Sequence, residues 1–198
     1  MEITPTRSAL LESRDERLVM REGYRFLDEK RLLLASEIIR QFSRYREVMA
    51  GYRNRHQQGV AALADAVTLH GWHDLQVTPV GDAAPVRIRR QERMFFGVLL
   101  VEPSGLESEG QTGREERMTG QSQRRCAQAF GLMLAESVEL AALSGNLHRL
   151  LAEYQRTERR ARALEDVILP ELDAAIHEME IRLEELEQEE AVRVRLGR

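Results

Sequence analysis

The sequence predicts a mainly α fold: a long antiparallel two-helix coiled coil formed by the N- and C-terminal helices, with a small central β-hairpin and loop region. Three observations predict it. Charged residues make up 31% of the 198 residues and aromatic residues 5%, a balance that suits long solvated helices better than a large globular core. Leu, Ala, Glu and Arg abound, and such residues lose little rotamer freedom in a helix. Helix breakers gather in the middle, at Gly71, Pro79, Gly81, Pro85, Gly97, Pro103, Gly105, Gly110, Gly113 and Gly120. The chain therefore divides into a coiled-coil helix over residues 1–70, a hairpin and loop over 71–120, and a second coiled-coil helix over 121–198.

The first helix is expected to start at Thr4-Pro5-Thr6 or Ser8, with Glu12 supporting its first turn. Met20, Tyr24, Leu27, Leu34, Ile38, Tyr45, Val48 and Tyr52 then fall 3 or 4 apart once Arg31 and Gln41 fill the vacant positions. That spacing is a coiled-coil seam, narrower than the stripe of a globular helix. In the middle, Val86-Arg87-Ile88-Arg89 alternates and Phe95 to Val101 is apolar and β-prone, so a hairpin turning near Gln91-Glu92-Arg93 is expected. Ser104 to Gly120 reads as a polar, Gly-rich, mobile loop.

The second helix is expected from Thr119 or Ser122, its seam carried by Phe130, Leu134, Val138, Ala141, Leu150, Tyr154, Ala161, Leu164, Ile168, Leu172, Ala175, Met179, Leu183 and Leu186. Steps of 4 around Ile168 and Leu172, and again at Met179 and Leu183, predict a locally relaxed supercoil, and Pro170 predicts a kink. Two seams in one chain can satisfy each other only by running antiparallel, with facing residue numbers summing to roughly 200. Arg14, Arg17 and Arg21 then face the acids of residues 178–187.

Charge and composition exclude several functions. A net charge of −4 argues against general nucleic-acid affinity. Charges throughout the first twenty residues leave no apolar stretch for a signal peptide, and a lone Cys126 agrees with a reducing, cytoplasmic compartment. The longest apolar run, Met94 to Val101, is far shorter than the roughly 20 residues of a spanning helix, so no direct membrane insertion is expected.

The sequence offers no catalytic constellation and implies no cofactor. No G-x-x-x-x-G-K-[ST] stretch is present, and the central glycines lie beside no lysine, so a phosphate cradle is unsupported. His70-Gly71-Trp72-His73-Asp74 supplies two imidazoles without a third nearby ligand, and a turn packed by Trp72 explains it better than a metal site. Cys126 has no His or Asp partner near it in sequence and reads as a buried or idle thiol. The acids of residues 165–190, among which Arg182 is the lone Arg or Lys, read as a solvated helix flank.

Two stretches carry a family likeness. Pro5-Thr6-Arg7, Leu10-Leu11 and the run Gly23-Tyr24-Arg25-Phe26-Leu27-Asp28-Glu29-Lys30-Arg31 resemble the N-terminus of the D subunit of V/A-type rotary ATPases and ATP synthases. Thr157-Glu158-Arg159-Arg160-Ala161-Arg162-Ala163-Leu164-Glu165 through Pro170, and Met179 through Glu190, resemble that family's C-terminal helix. Arg162 stands where the family usually has Asn, and Ala191-Val192 replaces an aromatic pair.

The resemblance implies a non-catalytic central rotor shaft, whose ends enter a hexamer of A and B subunits, with the F subunit alongside and the C subunit linking to the membrane ring. The protein would be cytoplasmic, held at the membrane through the complex. Arg7, Arg14, Arg193 and Arg195, near the paired ends, are the expected hexamer-facing contacts. Two other readings remain open at this level: the stalk protein of a flagellar or type III export ATPase, and a free-standing coiled-coil adaptor.

Overall fold

A computed structural model describes residues 6–77, 86–108 and 120–197. In chain order the elements are α1 (Arg7–Val77), β1 (Val86–Phe95), β2 (Val98–Ser108), α2 (Gln121–Ala163), a π-helical segment (Leu164–Ile168) and α3 (Leu169–Leu196). The mainly α expectation with a central hairpin holds. Pro5, Pro79, Gly81, Pro85 and residues 109–119 of the expected loop lie outside the described residues. The chain forms two compact units, one of residues 1–35 with 153–198, the other of residues 36–152.

Thr6 caps α1: its Oγ1 accepts a hydrogen bond from the Ala9 N–H at 3.2 Å, satisfying one of the first-turn donors that have no intrahelical partner. The helix is broken at Gly71, whose φ of 73° and ψ of 157° suit glycine and almost no other residue.

In the first unit, α1 pairs antiparallel with the C-terminal helices. Leu34, Ala161, Ile176 and Met179 are buried there, as is Thr157. Arg7 reaches Glu187 at 2.6 Å, Arg14 reaches Glu180 at 2.6 Å, and Lys30 reaches Glu153 at 2.6 Å. Arg17 and Arg21 both meet Asp173, at 3.1 and 3.6 Å, rather than the acids of residues 178–187. Arg7–Glu187, Arg14–Glu180 and Arg21–Asp173 share one register, their residue numbers summing to 194 rather than 200, so the two helices are offset uniformly by about six residues from the expected alignment. The π-helical segment lies beyond these pairs; its wider turn absorbs an extra residue where the seam steps by 4, and it ends just before Pro170, whose missing N–H cannot continue the regular ladder.

In the second unit, α1 meets α2 at Gly51 and Gly59, where a Cβ would make ordinary van der Waals contact. A Cβ on Gly59 would lie 3.8 Å from the Phe130 ring, and one on Gly51 would lie 3.4 Å from the Glu136 carboxylate. The α2 seam differs from expectation. Leu140, Leu143, Asn146 and Leu150 are buried, whereas Leu134 is 46% exposed and Ala141 is exposed. The expected seam left a gap between Ala141 and Leu150, and the true phase enters it through Leu143 and the polar Asn146. Leu186, in the first unit, also lies off the seam, half exposed.

The hairpin turns at Phe96-Gly97, not at Gln91-Glu92-Arg93, which lie inside β1 opposite Glu102, Val101 and Leu100. Both turn residues have positive φ, 46° and 86°, the sign whose twist matches a two-residue hairpin. The polar trio misled because a two-stranded ribbon packed on one face leaves the rest of each strand wet. A register shift between Arg89 and Arg90 marks a bulge, and Ser104–Ser108, expected as loop, continues β2.

Candidate functional site

Among the described residues, those singled out in the sequence assemble no catalytic cluster. His70 Nε2 lies 2.8 Å from Ser122 Oγ, joining α1 to α2 just before the Gly71 break. Gly120 permits this contact, since a Cβ there would come within 2.8 Å of the same nitrogen. Burial pushes the Cys126 thiol up, away from the thiolate that a nucleophile needs.

The best-organised polar site joins the hairpin to both helices in the second unit. Asn146, 1% exposed, uses its amide as a strand would: its Oδ1 accepts from the Val101 N–H at 2.8 Å, and its Nδ2 donates to the Val101 carbonyl at 2.9 Å. Arg149 donates to the Leu99 carbonyl at 2.8 Å and to Asn146 Oδ1 at 2.7 Å. Backbone groups on the open edge of β2 are thereby satisfied by α2 side chains, and Val98 and Leu100 are buried.

On α1, the nearly buried Glu37 takes hydrogen bonds from Arg40 at 2.6 and 2.8 Å and from Gln41 at 2.9 Å, and Arg93 of β1 approaches it at 3.3 Å. Bonding to Arg40 chiefly holds the Glu37 carboxyl below the usual range, against burial, which pushes it up. Sequence reasoning missed Glu37, Asn146 and Arg149; a polar residue at a seam position is their only signal. An apolar recess lies between the hairpin and α2, lined in part by Ile88, Val101, Pro103, Val138 and Ala141.

The residues of the two family-like stretches meet in the first unit. A Cβ on Gly23 would stand 4.0 Å from Leu164 at the start of the π-helical segment. The Tyr24 hydroxyl is pushed up first by burial and then by the Glu165 carboxylate. Leu27 is half-buried, the Lys30–Glu153 pair is largely enclosed, and Arg31 bonds Asp28 at 2.6 Å. Arg159 and Arg160 are exposed, as is Pro170. Among the expected contact residues, Arg7 and Arg14 are taken up in pairs across the helices, Arg193 lies 3.7 Å from Glu189 on its own helix, and Arg195 is exposed.

The helical run from Gln121 to Leu196 includes an 18-residue window of mean hydropathy 1.3, apolar enough by length and composition to cross a membrane. Averaging over a window finds what a search for unbroken apolar runs misses. Within α2, however, Glu136 and Glu139 pair with Arg55 at 2.5 Å and Arg44 at 2.6 Å on α1, which ties this helix to a charged partner.

Comparison with known proteins agrees with this architecture. A profile of the family described as the D subunit of ATP synthase matches residues 9–196. A V-type ATP synthase D subunit from Anaeromyxobacter dehalogenans (strain 2CP-C) is 32% identical over 193 residues, covering 96% of this chain and 92% of its own. An A-type ATP synthase D subunit from Methanoregula boonei is 27% identical over 197 residues, covering 98% and 94%. A V-type ATP synthase D subunit, numbered 2, from Treponema pallidum (strain Nichols) is 24% identical over 187 residues, covering 94% and 90%. With the profile spanning nearly its whole length, the chain belongs to the family of ATP synthase D subunits.

Proposed function

We propose that this chain is the non-catalytic central rotor shaft of a V/A-type ion-translocating rotary ATPase or ATP synthase. It couples ATP synthesis or hydrolysis in a hexamer of A and B subunits to ion transport through the membrane ring. One observation carries the mechanical part of this reading: within each unit α1 is bound to its antiparallel partner by ion pairs spread along the helices, such as Arg7–Glu187, Arg14–Glu180 and Arg44–Glu139. Two helices linked at many points resist twisting better than one. Each exposed pair is individually weak, but together they oppose slippage of one helix along the other.

Chemistry in this reading belongs to the A and B subunits, whose changes of shape require an asymmetric object to push against. Arg7, Arg14, Arg193 and Arg195 flank the proposed contact with the hexamer. The F subunit, and the C subunit linking the shaft to the ring, are the further partners. The chain works in the cytoplasm, held at the membrane through the complex and not inserted in it. Deleting the chain from the purified complex tests the proposal. ATP hydrolysis uncoupled from ion transport is expected; coupled transport without the chain would overturn it.

A further inference from the structure

The seam of the C-terminal helices carries one residue more than a coiled coil uses. Thr157, Ala161, Leu164 and Ile168 step by 4, 3 and 4, and Leu172, Ile176, Met179 and Leu183 again by 4, 3 and 4. Between the two runs Leu172 follows Ile168 at 4, where the alternation calls for 3. The surplus residue is housed in the π turn of Leu164–Ile168, where the Leu169 N–H reaches the Leu164 carbonyl, one residue farther back than an α-helical bond. No residue of that turn is buried, although Thr157 and Ala161 before it and Ile176 and Met179 after it are at most 5% exposed. Pro170 follows at once, and with no N–H of its own it leaves the next bond of the ladder unmade.

The facing helix is weakened at the same level. Gly23, the one glycine of α1 in this unit, faces Leu164, and a Cβ on it would stand 4.0 Å from that side chain, an ordinary contact. Neither its backbone, which is helical, nor its packing demands a glycine. A glycine in a helix interior gives up more conformational freedom than any other residue, so α1 is held less firmly there than an alanine would hold it.

We propose that Gly23 and the π turn together form a compliant joint across the first unit, a level at which both helices yield while the seams on either side stay packed. The outer ion pairs, Arg7–Glu187 and Arg14–Glu180, then tilt about it as one body. The seam needs neither feature. Deleting Pro170 removes the surplus residue and the missing bond and restores alternating steps through Leu186, and Gly23→Ala adds helix propensity without a clash. The inference concerns this unit alone and stands or falls apart from the shaft reading.

The test uses the full chain carrying Cys126→Ser, with spin labels on cysteines at the exposed positions of Ala163 and His177, on either side of the turn. A reference pair at the exposed positions of Glu171 and Glu185 is equally far apart along the helix beyond it. The spread of distances measured by electron–electron double resonance should be at least twofold broader across the turn than in the reference pair. Combining Gly23→Ala with deletion of Pro170 should narrow it to the reference value and slow amide exchange at Leu164–Leu169 and at positions 23 and 24 at least tenfold. Gly23→Ala alone, which keeps every residue in place, should narrow the spread part-way. Equal spreads for the two pairs before stiffening overturn the inference, the π turn then being a rigid kink. A broad spread that neither stiffened variant narrows also overturns it, because the motion then lies elsewhere.

Discussion

Replacing Asn146 with alanine should release the hairpin from α2 while leaving both helices folded. The side chain is 1% exposed and is the partner of both polar backbone groups of Val101. Leaving a buried donor or acceptor unmade costs roughly 1–3 kcal/mol each. Water entering the space left by the amide will recover part of that, so a net loss of about 2–4 kcal/mol in hairpin docking is expected. Each 1.4 kcal/mol is about tenfold in an equilibrium, so protection of the Val101 amide against hydrogen exchange should fall about 30- to 700-fold. Amides in the middle of α1 within the first unit should change little, since none of the lost bonds reaches them. Asn146→Asp is the informative companion, because it still accepts from Val101 N–H and from Arg149 but cannot donate to the Val101 carbonyl; it should fall between the two. Protection of Val101 in Asn146→Ala within twofold of the unaltered chain would refute the amide's role as a strand substitute.

Further outcomes follow from other contacts. Glu37 is held below the ordinary carboxylate range, so its contribution is complete above that range and is lost as pH falls through the depressed folded value. Hairpin exchange should therefore accelerate at the acid end of a titration between about pH 6 and pH 2, and Glu37→Gln should flatten that acid limb. Leu34→Ala, at a fully buried seam position, should cost about 2–5 kcal/mol in thermal or urea unfolding. Asp173→Ala removes the shared partner of Arg17 and Arg21 at an exposed site and should cost under about 1 kcal/mol, shrinking in high salt. Gly120→Ala should displace the His70 ring and break its contact with Ser122, a loss of about 0.5–1.5 kcal/mol visible in unfolding and in the imidazole resonances.

The sequence made the helical ends legible because a coiled-coil seam repeats. Tyr24, Leu27, Leu34, Ala161, Leu172 and Met179 are all at least half-buried, as their period predicts. Phase was lost where the seam turns polar, and register was lost because the spacing within each helix does not fix the offset between the two. Asn146 looks like a surface residue until a strand edge is placed beside it, and a uniform offset of about six residues from the expected alignment makes Asp173 the partner of Arg17 and Arg21. The hairpin turn was hidden for a similar reason. Phe96 is an uncommon residue at positive φ, so Phe96-Gly97 lacks the Asn-Gly or Asp-Gly signal that marks such turns. The candidate contact surface divides in the same way. The arginines near the ends were visible, but only their observed pairing shows which charges of α1 are left facing outward.

Rotation itself tests the central claim most directly. The hexamer would be fixed to a surface and a bead attached to the exposed hairpin position of Arg87, using Arg87→Cys in a Cys126→Ser background. Adding ATP should drive the bead in one direction, stepwise, in proportion to turnover. A bead that stays still, or moves without direction, while the hexamer hydrolyses ATP at its full rate would contradict the account.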